Sequence, residues 1–405
     1  MITRLFLENF RGIMKNEIDL GKITILTGPN NSGKSSLIYG LLALKNVVLN
    51  PNQSIDSFLN LGFLSLGGFN QTVYLKNENL NIALGIDVSS KNMASHYSLS
   101  LGKKNSTLNL KTLKPFSINL SLDVSFPYPI NKNTGCDLKE DFGTVKITWN
   151  GINSGILVDT PPSTEKRNEQ NIVEPILDSM NLPMEELRAV DFIPLRRGFI
   201  KPIYSSVPMQ QQLLTDEELA TLLATDRDLE GKVALYLEKI VDRLFNVRAA
   251  LGTANFNLQS RDRTTGFVCD LVNEGFGTNQ LVTILTKSLR NNMRTICIEE
   301  SEIHLHPEIM DKLVSAFIDI TKNEDKNFII STHSEHIVLS LLNKVAQKKI
   351  SPEEIKIYYL SRDGKRVKIE KQEVNEKGQI KGGLKGFYET ELKEVKEFFN
   401  IPSEK

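Results

Sequence analysis

The sequence predicts an α/β protein with a phosphate-loop core and mixed sheet, a β-rich lateral insert and a helical subdomain. Three observations predict it. An apolar, β-prone run at 23–26 gives way to a glycine-rich loop and then to a helical pattern over 37–44. Short alternating runs punctuated by Asn, Ser, Lys and Gly fill 72–149, as an antiparallel sheet requires. Two more apolar runs, at 294–300 and 328–334, end in paired carboxylates and in a histidine.

The composition sets the frame. A chain of 405 residues, 40% hydrophobic, can bury a sizeable core divided into two or three subdomains. Lys plus Arg equals Asp plus Glu at 49 each, so no net field draws the molecule to nucleic acid or membrane. Cys136, Cys269 and Cys297 are scattered without metal-ligand spacing, which fits a reducing cytoplasm and no disulfide framework. No signal-peptide core opens the chain and no apolar run approaches the ~20 residues of a membrane span, so a cytoplasmic protein without membrane contact is expected.

In chain order, 3–10 reads as a strand, Arg11-Gly12 breaks it, and 18–26 forms a second strand leading into Gly28-Pro-Asn-Asn-Ser-Gly-Lys-Ser-Ser36. Strand, glycine loop and helix in that order make a phosphate-binding loop. Gly28 and Gly33 let backbone N–H groups turn inward, with Asn30, Asn31, Ser32 and Ser36 completing the cradle. Lys34 reaches the β- and γ-phosphates of a nucleotide, Ser35 ligates Mg²⁺, and the helix adds its positive dipole end. Residues 50–72 form a shaped loop containing Gln71. The segment 151–175 lacks periodicity and reads as a mobile loop, followed by a short helix over 184–188.

Residues 189–198 form a strand ending in Arg196 and Arg197. The stretch 215–247 is the longest helical region, with Thr215 and Glu218 spaced as a capping box. The run 294–300 delivers Glu299 to Mg²⁺ and Glu300 to the attacking water as general base. Glu302, His304 and His306 lie close enough in sequence to admit zinc as an alternative. Gly275, Gly277, Asn279 and Gln280 open a helical pattern and make a second anion site. Residues 354–371 pair as a hairpin through Arg362-Asp-Gly-Lys, and a charged helix spans 391–399.

Leu7-Glu-Asn-Phe-Arg-Gly12, the phosphate loop, the strand acids with the Leu-His-Pro after them, and Ile-Ser-Thr-His333 together resemble the RecF, SMC and OLD-like ATP-binding-cassette ATPases. The resemblance covers 1–85 and 186–390. It implies that Arg11 lies near the nucleotide, that Gln71 senses Mg²⁺ and γ-phosphate, and that His333 contacts γ-phosphate and water. A turn residue and a surface glutamine stay open as the bland alternatives for Arg11 and Gln71. By the same resemblance Gly275, Gly277, Asn279 and Gln280 form a signature capping ATP on a second subunit, residues 304–307 form a D-loop, and Arg196 or Arg197 faces phosphate or a partner. The family's order divides the chain at 1–85 and 261–405 for the two parts of the ATPase core, 86–185 for the insert and 186–260 for a helical lobe.

Three uses of such an engine compete. The resemblance implies an ATPase that dimerises around ATP, expected to be the sensor of a bacterial antiphage system controlling a separate effector such as a nuclease. The alternatives are a repair ATPase clamping DNA, with nucleic-acid contact, and a scaffold that binds ATP without turning it over. The lack of an acidic nuclease domain in the sequence favours the first.

Overall fold

The computed structural model describes residues 1–128, 132–140, 143–159, 166–209, 215–250 and 252–383. The chain opens with β1 (Ile2–Phe10), β2 (Ile13–Asp19), β3 (Ile23–Thr27), α1 (Lys34–Leu49) and the one-turn helices α2 (Ile55–Phe58) and α3 (Phe69–Thr72). Then follow β4 (Ile82–Ser89), β5 (Ala94–Leu101), β6 (Ser106–Lys114), β7 (Ile118–Val124), β8 (Thr134–Glu140), β9 (Gly143–Trp149), β10 (Ser154–Asp159) and α4 (Lys166–Arg188). The middle holds β11 (Val190–Ile193), β12 (Tyr204–Ser205), α5 (Asp216–Thr225), α6 (Arg227–Val241), β13 (Arg243–Ala249), β14 (Asn255–Asp262) and β15 (Val268–Asp270). The rest is α7 (Phe276–Leu289), β16 (Thr295–Glu299), α8 (Pro307–Asn323), β17 (Asn327–Ser331), α9 (Glu335–Ala346), β18 (Ile355–Asp363) and β19 (Arg366–Gln372).

The core is a six-stranded mixed sheet in the order β11-β16-β17-β3-β18-β19, parallel except for the β18–β19 hairpin. Its strands are buried on both faces, so they read as unbroken apolar runs rather than alternating ones. Ile23, Ile25, Ile296, Ile298, Phe328 and Ile330 join one core cluster with α7, α8 and α9. Leu26, Cys297, Ile329 and Leu360 face the other, which contains α1 and the lateral sheet.

That lateral sheet, β2-β1-β4-β5-β6-β7, is antiparallel and packs over α1. Gly40 permits the approach, because a Cβ there would lie 2.2 Å from Leu7 Cδ2. The first two strands therefore share a sheet with the expected insert, and the expected division at residue 85 falls inside β4. Three strands, not two, precede the loop. The run at 18–26 breaks at Gly21, which passes against the Glu354 carbonyl where a Cβ would lie 2.4 Å away.

The segment 151–175 is not an open loop: β10 occupies part of it, and α4 begins at Lys166 and carries Pro175 and Pro183 inside it. The prolines hid this helix. Pro183 has no N–H for the Ser179 carbonyl four residues earlier, and the Ser95 hydroxyl donates to that carbonyl instead at 2.6 Å. The expected helical lobe is mixed. The Thr215–Glu218 capping box forms, with Thr215 Oγ1 accepting from the Glu218 N–H at 3.3 Å and Glu218 Oε2 from the Thr215 N–H at 2.7 Å. The helical pattern nevertheless ends at Val241, where Asp242 turns left-handed at φ 56°, and Leu244 and Val247 belong to β13. The charged helix expected at 391–399 lies outside the described residues.

Candidate active site

Strand β3 is flanked by β17 and β18, and the chain leaves it for α1, so a crevice opens at the carboxyl ends of these strands. Registers Leu26↔Ser331 and Glu299↔Ser331 bring the glycine loop, the paired acids and His333 to that one edge. Gly28 sits at φ 135°, and a Cβ there would lie 2.0 Å from the Leu360 carbonyl oxygen of β18, so only glycine fits. Gly33, at φ 101°, precedes α1. Asn30 and Asn31 are exposed at the tip, whereas Ser32 and Ser36 are buried, Ser32 Oγ with no protein partner.

Lys34 is buried beneath the loop, its Nζ donating to the carbonyls of Gly28 at 2.9 Å and Pro29 at 3.0 Å. Burial pushes its pKa down to about 8, while Glu300 and Glu302 pull it upward. The first turn of α1 adds backbone N–H groups and the positive end of the helix dipole. This is an anion cradle with a cation at its floor.

Glu299 ends β16, buried, with Oε1 accepting from the Tyr39 hydroxyl at 2.8 Å. Ser35, one turn earlier on the same helix, also acts on that phenol, so Tyr39 stands between the serine and the carboxylate. A hydroxyl and a carboxylate gathered this way match the oxygen donors of a hard divalent cation. The sequence held the signal for Tyr39: four residues beyond Ser35 on a helix, it shares the serine's face. Arg11, at φ 52°, holds its guanidinium over the Tyr39 ring, 5.6 Å from the centroid. Gln71 is exposed on α3, and among the described residues no hydrogen bond joins it to Ser35 or Glu299.

Glu300 leaves the sheet at φ 45° with its N–H donating to the Ser331 carbonyl at 2.8 Å. Its Oε1 lies 3.7 Å from His333 Nε2. Burial, with Lys34 nearby, lowers the His333 pKa against the opposing pull of Glu302, so the ring is neutral at neutral pH. Two neighbours have roles that sequence reasoning missed. Glu302, buried, accepts from the Thr332 hydroxyl at 2.6 Å and the His333 N–H at 3.0 Å. Arg197 donates to the backbone carbonyls of Glu299 and Glu300, both at 2.6 Å. Both contacts cross between elements, so no local spacing announces them.

The glycine-rich start of α7 is less uniform than its pattern suggests. Gly275 is open, and Phe276 beside it is 73% exposed. Gly277 is a packing glycine, because a Cβ there would lie 2.8 Å from the His304 carbonyl oxygen. Asn279, expected to contact nucleotide, is turned inward. Its amide accepts from the Phe199 N–H at 2.7 Å and donates to the carbonyls of Phe199 at 2.8 Å and Leu271 at 3.2 Å. Gln280 is buried and, with Arg196, Phe276 and His304, lines a cavity of about 630 Å³.

Glu302, His304 and His306, the residues of the zinc alternative, each make other contacts. No group of three His, Cys, Asp or Glu able to hold a metal ion occurs among the described residues. His306 caps α8 by accepting from the Glu308 N–H, and the His304 ring packs against Phe276 at 5.5 Å.

A family model described as "AAA domain, putative AbiEii toxin, Type IV TA system" matches residues 23–340, which span the loop, the acids and His333. The chain belongs to this AAA family. It is an ATPase of the AAA class. A second model, of a protein of unknown function, matches 350–398. The AAA chain is 22% identical over 376 residues to an "ATP/GTP phosphatase" of Helicobacter pylori, covering 90% of this chain and 93% of that protein. Among solved structures it is similar to the SMC head domain from Thermotoga maritima, with TM-score 0.44, 9% identity, and coverage of 92% of this chain and 99% of that one. It is also similar to an SMC head bound to the C-winged helix domain of ScpA, with TM-score 0.49, 10% identity and coverage of 92% and 98%.

Proposed function

We propose that this chain binds ATP at residues 28–36 and hydrolyses it with Glu300 as general base. The observation that carries this reading is the meeting of Lys34, Glu299, Glu300 and His333 at the ends of three adjacent parallel strands. Family membership and the name of the Helicobacter pylori relative support hydrolysis of a nucleoside triphosphate.

The loop N–H groups and Lys34 hold the phosphates, and Arg11 lies toward the nucleotide from the β1–β2 turn. Ser35 and Glu299 would hold Mg²⁺, which when bound supplies positive charge against the phosphate oxygens. Glu300 takes a proton from water as the water oxygen bonds to the γ-phosphorus and the bond from phosphorus to the bridging oxygen breaks, leaving ADP and phosphate. His333, neutral, lies beside that carboxylate as a hydrogen-bonding group rather than a fixed cation.

Two copies would close around ATP in the cytoplasm, the α7 start of each facing its partner; the exposed Gly275 and Phe276 support a partner-facing surface. The family's toxin–antitoxin description supports a role in defence, with a separately encoded effector under the control of the ATPase. Light-scattering mass of Glu300→Gln with and without MgATP tests assembly. A doubled mass with ATP is expected, and an unchanged mass with ATP demonstrably bound would refute the two-copy arrangement.

A further inference from the structure

Glu300 and His333 face each other across 3.7 Å, yet neither backbone is held by ladder bonds alone. Glu300 sits just past the end of β16 in a left-handed conformation that non-glycine residues rarely adopt. Surroundings must over-determine such a geometry. Arg197 does so on one side. Its Nη1 donates to the carbonyls of Glu299 at 2.6 Å and Pro194 at 3.1 Å, and its Nη2 to that of Glu300 at 2.6 Å. A planar guanidinium spanning two successive carbonyls fixes the peptide plane between them, which a lysine ammonium cannot do as rigidly.

Glu302 acts on the other side. Its Oε1 accepts both the Thr332 hydroxyl and the His333 N–H, so it fastens the turn by which the chain leaves β17. Neither side chain belongs to a saturated ion pair: Arg197 Nε and Glu302 Oε2 are both buried with no protein partner. Burial drives the Arg197 pKa down to about 10 although Glu302, Glu300 and Glu299 oppose it. Keeping these two charges buried is costly, and what they grip is backbone on either side of the hydrolytic pair.

We propose that Arg197 and Glu302 are positioning residues for hydrolysis: Arg197 sets the backbone carrying Glu300, Glu302 sets the backbone carrying His333, and neither touches nucleotide. The proposal rests on the reading of Glu300 as the base. It separates binding from turnover, since the phosphate cradle hangs on β3 and α1 whereas the two clamps act on β16 and β17.

The test is equilibrium ATP binding and single-turnover hydrolysis on the full chain, for Arg197→Met, Arg197→Lys, Glu302→Ala, Glu302→Gln and Glu300→Gln. Arg197→Met and Glu302→Ala should bind ATP within about threefold of wild type and lose roughly a hundredfold in turnover, the cost of a misplaced reacting group. Glu302→Gln keeps an acceptor for Thr332 and His333 and should stay within about tenfold, as a positioning role demands. If Arg197→Met fails to fold, Arg197→Lys decides its half, with unchanged affinity and turnover about tenfold down expected. Undiminished turnover in the Arg197 and Glu302 variants, with Glu300→Gln inactive, overturns the proposal alone. Affinity falling in step with turnover also overturns it, by making the pair general scaffold. Full turnover in Glu300→Gln overturns the assignment of the base and the proposal with it.

Discussion

Asp191→Asn should destabilise the protein by about 4 kcal/mol, within the ~3–5 kcal/mol typical of removing one partner from a buried ion pair. Asp191 lies on β11, the edge strand of the core sheet, and is 4% exposed. Lys45 of α1 and Lys287 of α7 donate to the edge carbonyls of Val190 and Phe192. Among the described residues the carboxylate that pairs with these cations is Asp191, 3.0 Å from Lys287 and 3.1 Å from Arg290. At an effective dielectric of about 20, charges 3.0 Å apart attract by roughly 5 kcal/mol, much of it offset by desolvation. Asparagine keeps the shape and leaves buried positive charge uncompensated. With about 2.1 cal/mol/K per residue of unfolding entropy over 405 residues, a loss of about 4 kcal/mol lowers Tm by roughly 5 °C if the chain melts as one unit.

The pH dependence has a definite sign. Burial raises the Asp191 pKa, but Lys287, Arg290 and Lys45 together hold it below the usual 3.8. The carboxylate's stabilisation is therefore fully present above pH 3.8 and fades as pH falls through the lower folded value. Urea unfolding of wild type and Asp191→Asn at several pH values reads the difference. A gap under ~1 kcal/mol at pH 7, or one unchanged on acidification, would refute the reasoning.

Three other predictions follow from the site. Gly28→Ala should cost roughly 2–4 kcal/mol and abolish ATP binding, because its Cβ would lie 2.0 Å from the Leu360 oxygen at a strained φ; calorimetry and nucleotide binding check both parts. Purified protein should carry no stoichiometric zinc, and elemental analysis finding one zinc per chain, lost in His306→Ala, would restore the zinc alternative. With the His333 pKa lowered below 6.5, protonating this ring should contribute an acid limb to the pH–rate profile below that value. A His333-dependent limb above it, one absent from His333→Gln, would show that the ring is not kept neutral.

The core was legible where sequence and burial agree locally. Strands buried on both faces leave unbroken apolar runs, so β3, β16 and β17 stood out with the residues at their ends: Gly28, Glu299, Glu300 and His333. Elsewhere tertiary contacts overrode local pattern. Pro183 argued against a helix that a serine from β5 completes. Leu244 continued the apolar stripe of α6, although the left-handed turn at Asp242 hands it to a strand. In the site, Asn279 fits a signature pattern equally well facing a ligand or pinning Phe199, and only the fold chooses the second. Arg197 showed in sequence as a cation at a strand end, but two of its three acceptors, the Glu299 and Glu300 carbonyls, lie 102 and 103 residues away.

The central claim is that one crevice both holds ATP and cleaves it, and paired measurement of ATP binding and phosphate release tests it most directly. Wild type should bind and turn over, Lys34→Ala should do neither, and Glu300→Gln should bind with undiminished affinity while releasing no phosphate. Equal loss of affinity in Lys34→Ala and Glu300→Gln, or phosphate release that survives both substitutions, would contradict the account.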